Sequence, residues 1–291
     1  MTRRAKQYQT LPYSKMRRAA TANLRSFQRK PMVHGLIEVD VAKARAFLQE
    51  HKARSGESLS FTAFIIACVA KAVDENKSVQ AYRWGMTRLV VFDDVDVALV
   101  IERDIAGEKV PLLYVIHAAN RKSFQEIHHE IRAIQARDPA KSVLGFAALP
   151  FVPPVVFTRI LYRALRTFPW LHKRVVGTVG VTAVGMFGKG GGWGIPTAAS
   201  SLAITIGGLA PKPVVVDGRI VIHEVLCVTL SFDHRIIDGA PAARFTDRLR
   251  ELIESGYGLP SFEVEQAQTI GQGTSYALPD GLAQADLHQA T

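Results

Sequence analysis

Apolar positions along the chain switch between a helical and an alternating rhythm, and the switches divide the sequence into elements. From Ser14 to Gln28, Met16, Ala19, Ala20, Leu24 and Phe27 fall on one helical stripe, with Pro12 ahead of it and Ser14 as a candidate N-cap. Lys15, Arg17, Arg18 and Arg25 fall among the other positions, with no acidic residue, so this is a basic amphipathic helix. Met32 to Val41 alternates as a strand should, and Ala42 to Ala53 returns to helical spacing. Leu59 to Val73 is an unbroken apolar run too long for one strand, which predicts a buried helix. Ala81 to Arg103 is rich in β-branched residues, as is Val110 to Ile116, and both predict strands. Ser123 to Ala136 places Phe124, Ile127, Ile131 and Ile134 on one helical face.

The second half reads mainly as sheet. Strands are expected at Thr178 to Val184 and Ser201 to Ile206, followed by a hairpin in which Val214 to Val216 and Ile220 to Ile222 flank the turn residues Asp217 and Gly218. A last strand, Glu224 to Phe232, leads into a charged segment and then the helix Ala240 to Ser255. Two stretches break the rhythm. Ser142 to Thr158 is uncharged and apolar, yet it holds Pro150, Pro153 and Pro154 and is shorter than the roughly 20 residues a spanning helix needs. Arg159 to Arg174 then mixes Ile160, Leu165, Phe168 and Trp170 with five cations. The segment 142–174 therefore reads as an apolar and basic insert, either a hydrophobic hairpin packed on this chain or a neighbouring subunit, which the pattern favours, or a contact with an anionic membrane surface. Residues 261–291 are polar and aperiodic, which predicts a disordered tail.

Composition narrows the class without naming a function. Hydrophobic residues at 48% and charged residues at 21% fit an ordinary globular chain of 291 residues, and neither disorder nor a polytopic membrane protein is expected. Cys68 and Cys227 lie inside apolar runs, away from metal-ligand or redox spacing, so buried free thiols and no metal site are expected. The first residues lack the apolar core of a signal peptide, which with the missing disulfide framework implies a cytoplasmic setting. A formal net charge of +10 suits nucleic acid, an anionic membrane face or a polyanionic ligand. Neither basic cluster, Arg3 to Lys30 or Arg159 to Arg174, carries a nucleic-acid motif, so no nucleic-acid partner is expected.

The sharpest chemistry lies at Leu230-Ser231-Phe232-Asp233-His234-Arg235-Ile236-Ile237-Asp238-Gly239. A histidine at a strand terminus is held rigidly and still reached by substrate. Two aspartates and an arginine beside a buried strand each need a partner, so a merely hydrated loop is the weaker reading.

This stretch resembles the active-site signature of the catalytic domain of dihydrolipoyl acyltransferases, the core subunits of 2-oxoacid dehydrogenase complexes, whose fold is that of chloramphenicol acetyltransferase. Gly177 to Gly188 (Gly-Thr-Val-Gly-Val-Thr-Ala-Val-Gly-Met-Phe-Gly) is similar to the family's second signature, with Thr182 at the hydroxyl position. Pro12 to Ala19 resembles the start of the domain, and Asp94 to Val100 one of its central strands. The resemblance implies an α+β two-layer sandwich, a mixed sheet with helices on one face, assembled as a homotrimer or a larger trimer-based particle. It sets an N-terminal extension at 1–10 and one catalytic domain at 11–260 that carries the 142–174 insert.

By this resemblance His234 is a general base that takes a proton from the thiol of coenzyme A or a dihydrolipoyl group, suited by an imidazole pKa near working pH. Thr182 donates to the oxyanion formed on an acyl thioester, a role its β-branched shape alone does not suggest. Asp238 holds the loop by pairing with an arginine of the first helix, Arg17, with Arg18 as the second candidate. His234 and Thr182 come from neighbouring chains. Acyl-coenzyme A is then a substrate, the chain has no lipoyl attachment site of its own, and a lipoyl domain would act in trans.

Three departures bear on the substrate. Ala183 stands where the family usually has asparagine, and the insert precedes the hydroxyl-bearing strand. Gly190-Gly191-Gly192-Trp193-Gly194-Ile195-Pro196-Thr197 replaces a more apolar stretch; it lacks the lysine of a phosphate loop and reads as a flexible turn. The alternative to an enzyme is a non-catalytic trimeric scaffold or membrane-surface protein that keeps the fold.

Overall fold

The computed structural model describes residues 30–105, 108–136, 160, 163–165, 167–185 and 190–260. The helix expected at Ser14 to Gln28, with Arg17 and Arg18, lies outside the described residues, as do 142–159 and the tail 261–291.

Strand β1 (Met32–Asp40) is followed by α1 (Ala42–Ser55) and α2 (Phe61–Glu75). Helix α1 stops at Gly56, whose φ of 74° is left-handed and whose N–H bonds the Lys52 carbonyl. Helix α2 starts at Ser60, whose hydroxyl accepts from the Ala63 amide, and it is buried on nearly every side from Ala63 to Val73. A helix apolar all round belongs inside, and it forms the centre of the core. A small hairpin follows, β2 (Tyr82–Trp84) with β3 (Arg88–Val90), then β4 (Val97–Ile105), β5 (Glu108–Ile116) and α3 (Phe124–Ala136). The second half contains α4 (Pro169–Val176), β6 (Val179–Ala183), β7 (Leu202–Val216), β8 (Arg219–Asp233) and α5 (Gly239–Ser255).

Six strands form one sheet in the order β1-β8-β7-β6-β4-β5. Strand β6 runs parallel to both neighbours and every other pair is antiparallel, so the sheet is mixed, as expected. The sequence divides the β7–β8 ribbon into four short strands; the structure joins them into two of 15 residues each. Gly207 and Gly208 interrupt the apolar pattern because they form a bulge, where the pairing shifts between Ile206 and Leu209 and then continues. The ribbon turns at Asp217 (φ 49°) and Gly218 (φ 75°), the pair of left-handed residues a type I′ turn requires.

Helices α1, α2, α3 and α5 share one core with alternate residues of the sheet, among them Val181, Ile204, Leu230 and Phe232. Phe232 meets Phe245 of α5 edge to face, with ring centroids 6.0 Å apart. Burial of each such side chain is worth about 1.5–3 kcal/mol. The other residues of these strands face away from the helices, and there Thr182, Thr205 and Thr229 stand in one register row across β6, β7 and β8.

The glycine run is a packed crossing, in contrast to the flexible turn expected from its composition. The Gly208 amide bonds the Gly192 carbonyl at 2.8 Å, and a Cβ at Gly208 would lie 2.2 Å from the Gly190 carbonyl oxygen. Only glycine allows two backbones this close. Cys68 and Cys227 are buried and free.

Candidate active site

The end of β8 is fixed before the histidine is reached. Residues Val225 to Asp233 are buried throughout. At the exit the Asp233 amide donates to the Ser201 carbonyl at 2.8 Å, and the His234 amide donates to the Pro31 carbonyl at 2.9 Å. The amides of Ile236 and Ile237 both bond the Asp233 carbonyl, at 2.9 and 3.1 Å, which closes a tight turn around His234. Ile237 is buried against the core and anchors the turn.

The His234 ring is exposed, and its Nδ1 lies 2.9 Å from the Ile237 carbonyl oxygen. A carbonyl only accepts, so Nδ1 carries the proton and a neutral ring keeps its lone pair on Nε2. A backbone contact within the same turn therefore sets the tautomer. Asp238 is the N-cap residue of α5; its side chain is exposed and makes no capping bond. Its expected partner, Arg17, lies outside the described residues.

A second carboxylate holds this turn; the sequence marks Asp233 and Arg235 as charges in need of partners without pairing them with each other. Asp233, 1% exposed, receives Arg235 Nε at 2.8 Å and Nη2 at 2.5 Å, and the Arg235 amide at 3.2 Å. Burial pushes the Asp233 carboxyl up, but the Arg235 hydrogen bonds and the charges of Arg235 and Lys30 outweigh it and leave the group below its ordinary value. Lys30 donates to the Ala199 carbonyl and is itself pushed down to about 8 by burial, with Asp233 opposing. Beyond it the His172 ring lies tilted against Tyr82 at 4.4 Å between ring centroids, its Nε2 buried without a partner among the described residues. Burial first, and the Lys30 charge second, push His172 down to about 3. An arginine two residues from an aspartate is too common a pattern to signal this clamp in advance; Lys30 and His172 give no local sign at all.

Thr182 lies elsewhere in the protomer. It is level with Thr205 and, through it, with Thr229, while His234 stands past the end of β8. At roughly 3.3 Å per residue along a strand and 4.8 Å between strands, the two positions are about 19 Å apart within one chain. One protomer therefore does not bring them together. Thr182 is half-buried, whereas the hydroxyls of Thr205 and Thr229 are buried without a partner among the described residues. The Gly190–Gly194 crossing covers part of this face: a Cβ at Gly194 would lie 3.1 Å from Thr205 Cγ2.

Glu57, His128 and His129 hold potential ligand atoms within 4.8 Å of one another. The Ser60 amide donates to His128 Nδ1 at 3.0 Å, so the neutral ring carries its proton on Nε2, which faces Glu57 Oε1 at 3.3 Å. Neither nitrogen then has a free lone pair for a metal. The trio ties α3 to the segment before α2.

A six-stranded mixed sheet with helices on one face carries a histidine turn at a strand end and a hydroxyl row on the opposite face. The chain belongs to the family of 2-oxoacid dehydrogenases acyltransferase (catalytic domain), whose model matches residues 5–143 and 157–259. The match skips 144–156, within the apolar stretch of the insert. Among curated relatives, it is 25% identical over 252 residues to the lipoamide acyltransferase component of the branched-chain alpha-keto acid dehydrogenase complex of Bacillus subtilis, covering 84% of this chain and 52% of that protein. It is 25% identical over 265 residues to the dihydrolipoyllysine-residue acetyltransferase component of the pyruvate dehydrogenase complex of Rickettsia conorii, covering 88% and 56%. The chain thus spans about half the length of the curated relatives it matches. Solved structures agree in fold. A probable dihydrolipoamide acetyltransferase from Listeria monocytogenes superposes with a TM-score of 0.64 at 22% identity, over 86% of this chain and 96% of that one. The cubic core of a pyruvate dehydrogenase multienzyme complex gives 0.62 at 20%, over 86% and 93%.

Proposed function

We propose that the chain is an acyltransferase that moves an acyl group between thiols, with coenzyme A on one side and a dihydrolipoyl group or another acceptor on the other. The observation that carries the reading is the His234 turn, in which the Ile237 carbonyl occupies Nδ1 and leaves Nε2 as an exposed base. Nε2 takes the proton of the incoming thiol, and the thiolate attacks the carbonyl carbon of the acyl thioester. The resulting oxyanion accepts a hydrogen bond from the Thr182 hydroxyl of a neighbouring protomer. Collapse expels the second thiolate, which recovers the proton from His234, so the imidazole ends each turnover neutral.

The separation of about 19 Å that strand spacings give within one chain is why this reading calls for a neighbour. A homotrimer would seat the His234 turn of one copy against the Thr182 row of the next, as family membership suggests. Asp238 would hold the turn from the helix side by pairing with Arg17, or with Arg18, while Asp233 and Arg235 hold it from the strand side. A free-standing enzyme predicts isolated trimers; a core subunit served by lipoyl domains in trans predicts larger particles built from trimers.

The test is acyl transfer from acetyl-coenzyme A, and from longer acyl analogues, to dihydrolipoamide, followed as thiol release. The wild type should turn over, and His234→Ala should lose about a hundredfold to ten-thousandfold. Transfer that persists in the variant, or that is missing from the wild type with every acyl donor and acceptor, would remove the enzymatic reading and leave a scaffold.

A further inference from the structure

Between Asp138 and Asp217 the sequence contains no aspartate or glutamate, while Arg163, Lys173 and Arg174 all fall in this span. Helix α4 and the residues just before it occupy it. Two hydrogen bonds fasten them to the β2–β3 hairpin: Tyr82 Oη donates to the Leu165 carbonyl at 3.2 Å and Trp84 Nε1 to the Thr167 carbonyl at 2.9 Å. Helix and hairpin therefore present one connected surface.

Its apolar side chains face water. Trp170 is 62% exposed and Met86 88%, Phe168 lies 5.9 Å from Trp170 between ring centroids, and Trp84 is also exposed. Single exposed apolar residues are ordinary, but a group of aromatics joined across two elements marks a contact surface. Arg88, Arg163 and Arg174, on the same hairpin and helical segment, are exposed, and no described carboxylate is within ion-pair distance of them. Arg88 stacks over Trp84 at 5.5 Å. Lys173 differs, since Asp94 and Asp96 neutralise it at 3.6 and 3.5 Å. These guanidinium groups have no described counter-charge, and such groups bind phosphate well because their planar donors match its oxygens.

We infer that this surface docks on an anionic lipid bilayer, with Trp170, Phe168 and Met86 entering the headgroup boundary and the arginines holding lipid phosphates. Tryptophan and arginine together are the side chains that such a boundary accommodates, because each has an apolar body and a polar end. No helix among the described residues is long and apolar enough to cross a membrane, and the inferred contact reaches only the headgroup boundary.

The experiment co-sediments the whole protein with vesicles of phosphatidylcholine alone and of phosphatidylcholine mixed with phosphatidylglycerol, and reads tryptophan emission alongside. Binding should require phosphatidylglycerol, weaken with salt, and fall about fivefold for each of Arg163→Gln and Arg174→Gln. Trp170→Ala should remove most of the blue shift while circular dichroism stays unchanged, because the side chain is exposed. Equal binding to both vesicle types, no binding to either, or binding unaffected by the arginine variants would overturn the inference. So would equally tight binding to polyglutamate with Trp170 left open to an aqueous quencher, which would point to an acidic protein partner. Acyl transfer measured without lipid reports on the proposed activity separately.

Discussion

The rim around His234 and the row of hydroxyls on the far face of the sheet are built in opposite ways. At the rim, charge is concentrated and answered: Arg235 neutralises Asp233, and backbone bonds from Ile236, Ile237 and His234 itself fix the turn. In the row, Thr205 and Thr229 keep buried hydroxyls without partners among the described residues, and glycine backbone crosses over Thr205. A buried hydroxyl without a partner costs about 1–3 kcal/mol, so the row is tuned less for stability than the rim. Of the row only Thr182 is open enough for a second chain to reach, so the proposed division of the site asks the rim for a rigid base and Thr182 alone for the hydroxyl.

Thr182→Val gives the largest expected effect on this contrast. It removes only a hydroxyl, so acyl transfer should fall about a hundredfold or more while the melting temperature hardly moves. Thr205→Val, one strand over, should instead stabilise the fold by about 1 kcal/mol, since it deletes an unsatisfied group. Equal activity losses in the two variants would mean that the row acts as a unit and that Thr182 has no special role.

Arg235→Ala comes next. It leaves the Asp233 carboxylate buried with only the Lys30 charge nearby, and should cost about 2 kcal/mol in urea unfolding, less than a fully enclosed pair because Arg235 is partly exposed and screened. Asp233 has a folded pKa below its unfolded one, so its stabilisation is complete above the ordinary carboxylate range and is lost as pH falls through the lowered value. The gap between variant and wild type should accordingly narrow in acid. A gap that widens there would contradict the clamp.

The smallest effect concerns His172, behind the rim. Its folded pKa is about 3 against an ordinary 6.5, so between these values the unfolded chain binds the extra proton and stability falls as pH drops. From about pH 7 to about pH 5.5 this should cost the wild type on the order of 1 kcal/mol, and His172→Phe, which keeps a ring against Tyr82, should flatten that slope. An unchanged slope would place the acid sensitivity elsewhere.

Much of this architecture was legible before any coordinates. Helix α2 announced itself by an unbroken apolar run, β1 by alternation, the hairpin turn by Asp217-Gly218, and the histidine turn by charges massed at a strand end. Signals that depend on contact were not legible. The bulge at Gly207 and Gly208 looked like a strand end, because one-dimensional patterning cannot tell an interruption from a stop. The Gly190 run looked flexible because composition does not reveal that another backbone passes within touching distance. Lys30 and His172 acquire their character only from burial beside Asp233 and Tyr82, far away in sequence. The distance between Thr182 and His234 required the register of three strands.

Subunit complementation tests the divided site most directly. His234→Ala and Thr182→Val chains, each nearly inactive alone, are co-expressed with different tags and the mixed assemblies purified. If the base and the hydroxyl of one site come from two copies, random mixing restores roughly a quarter of the sites, and activity should rise well above either parent. Mixed assemblies no more active than their parents would contradict the account.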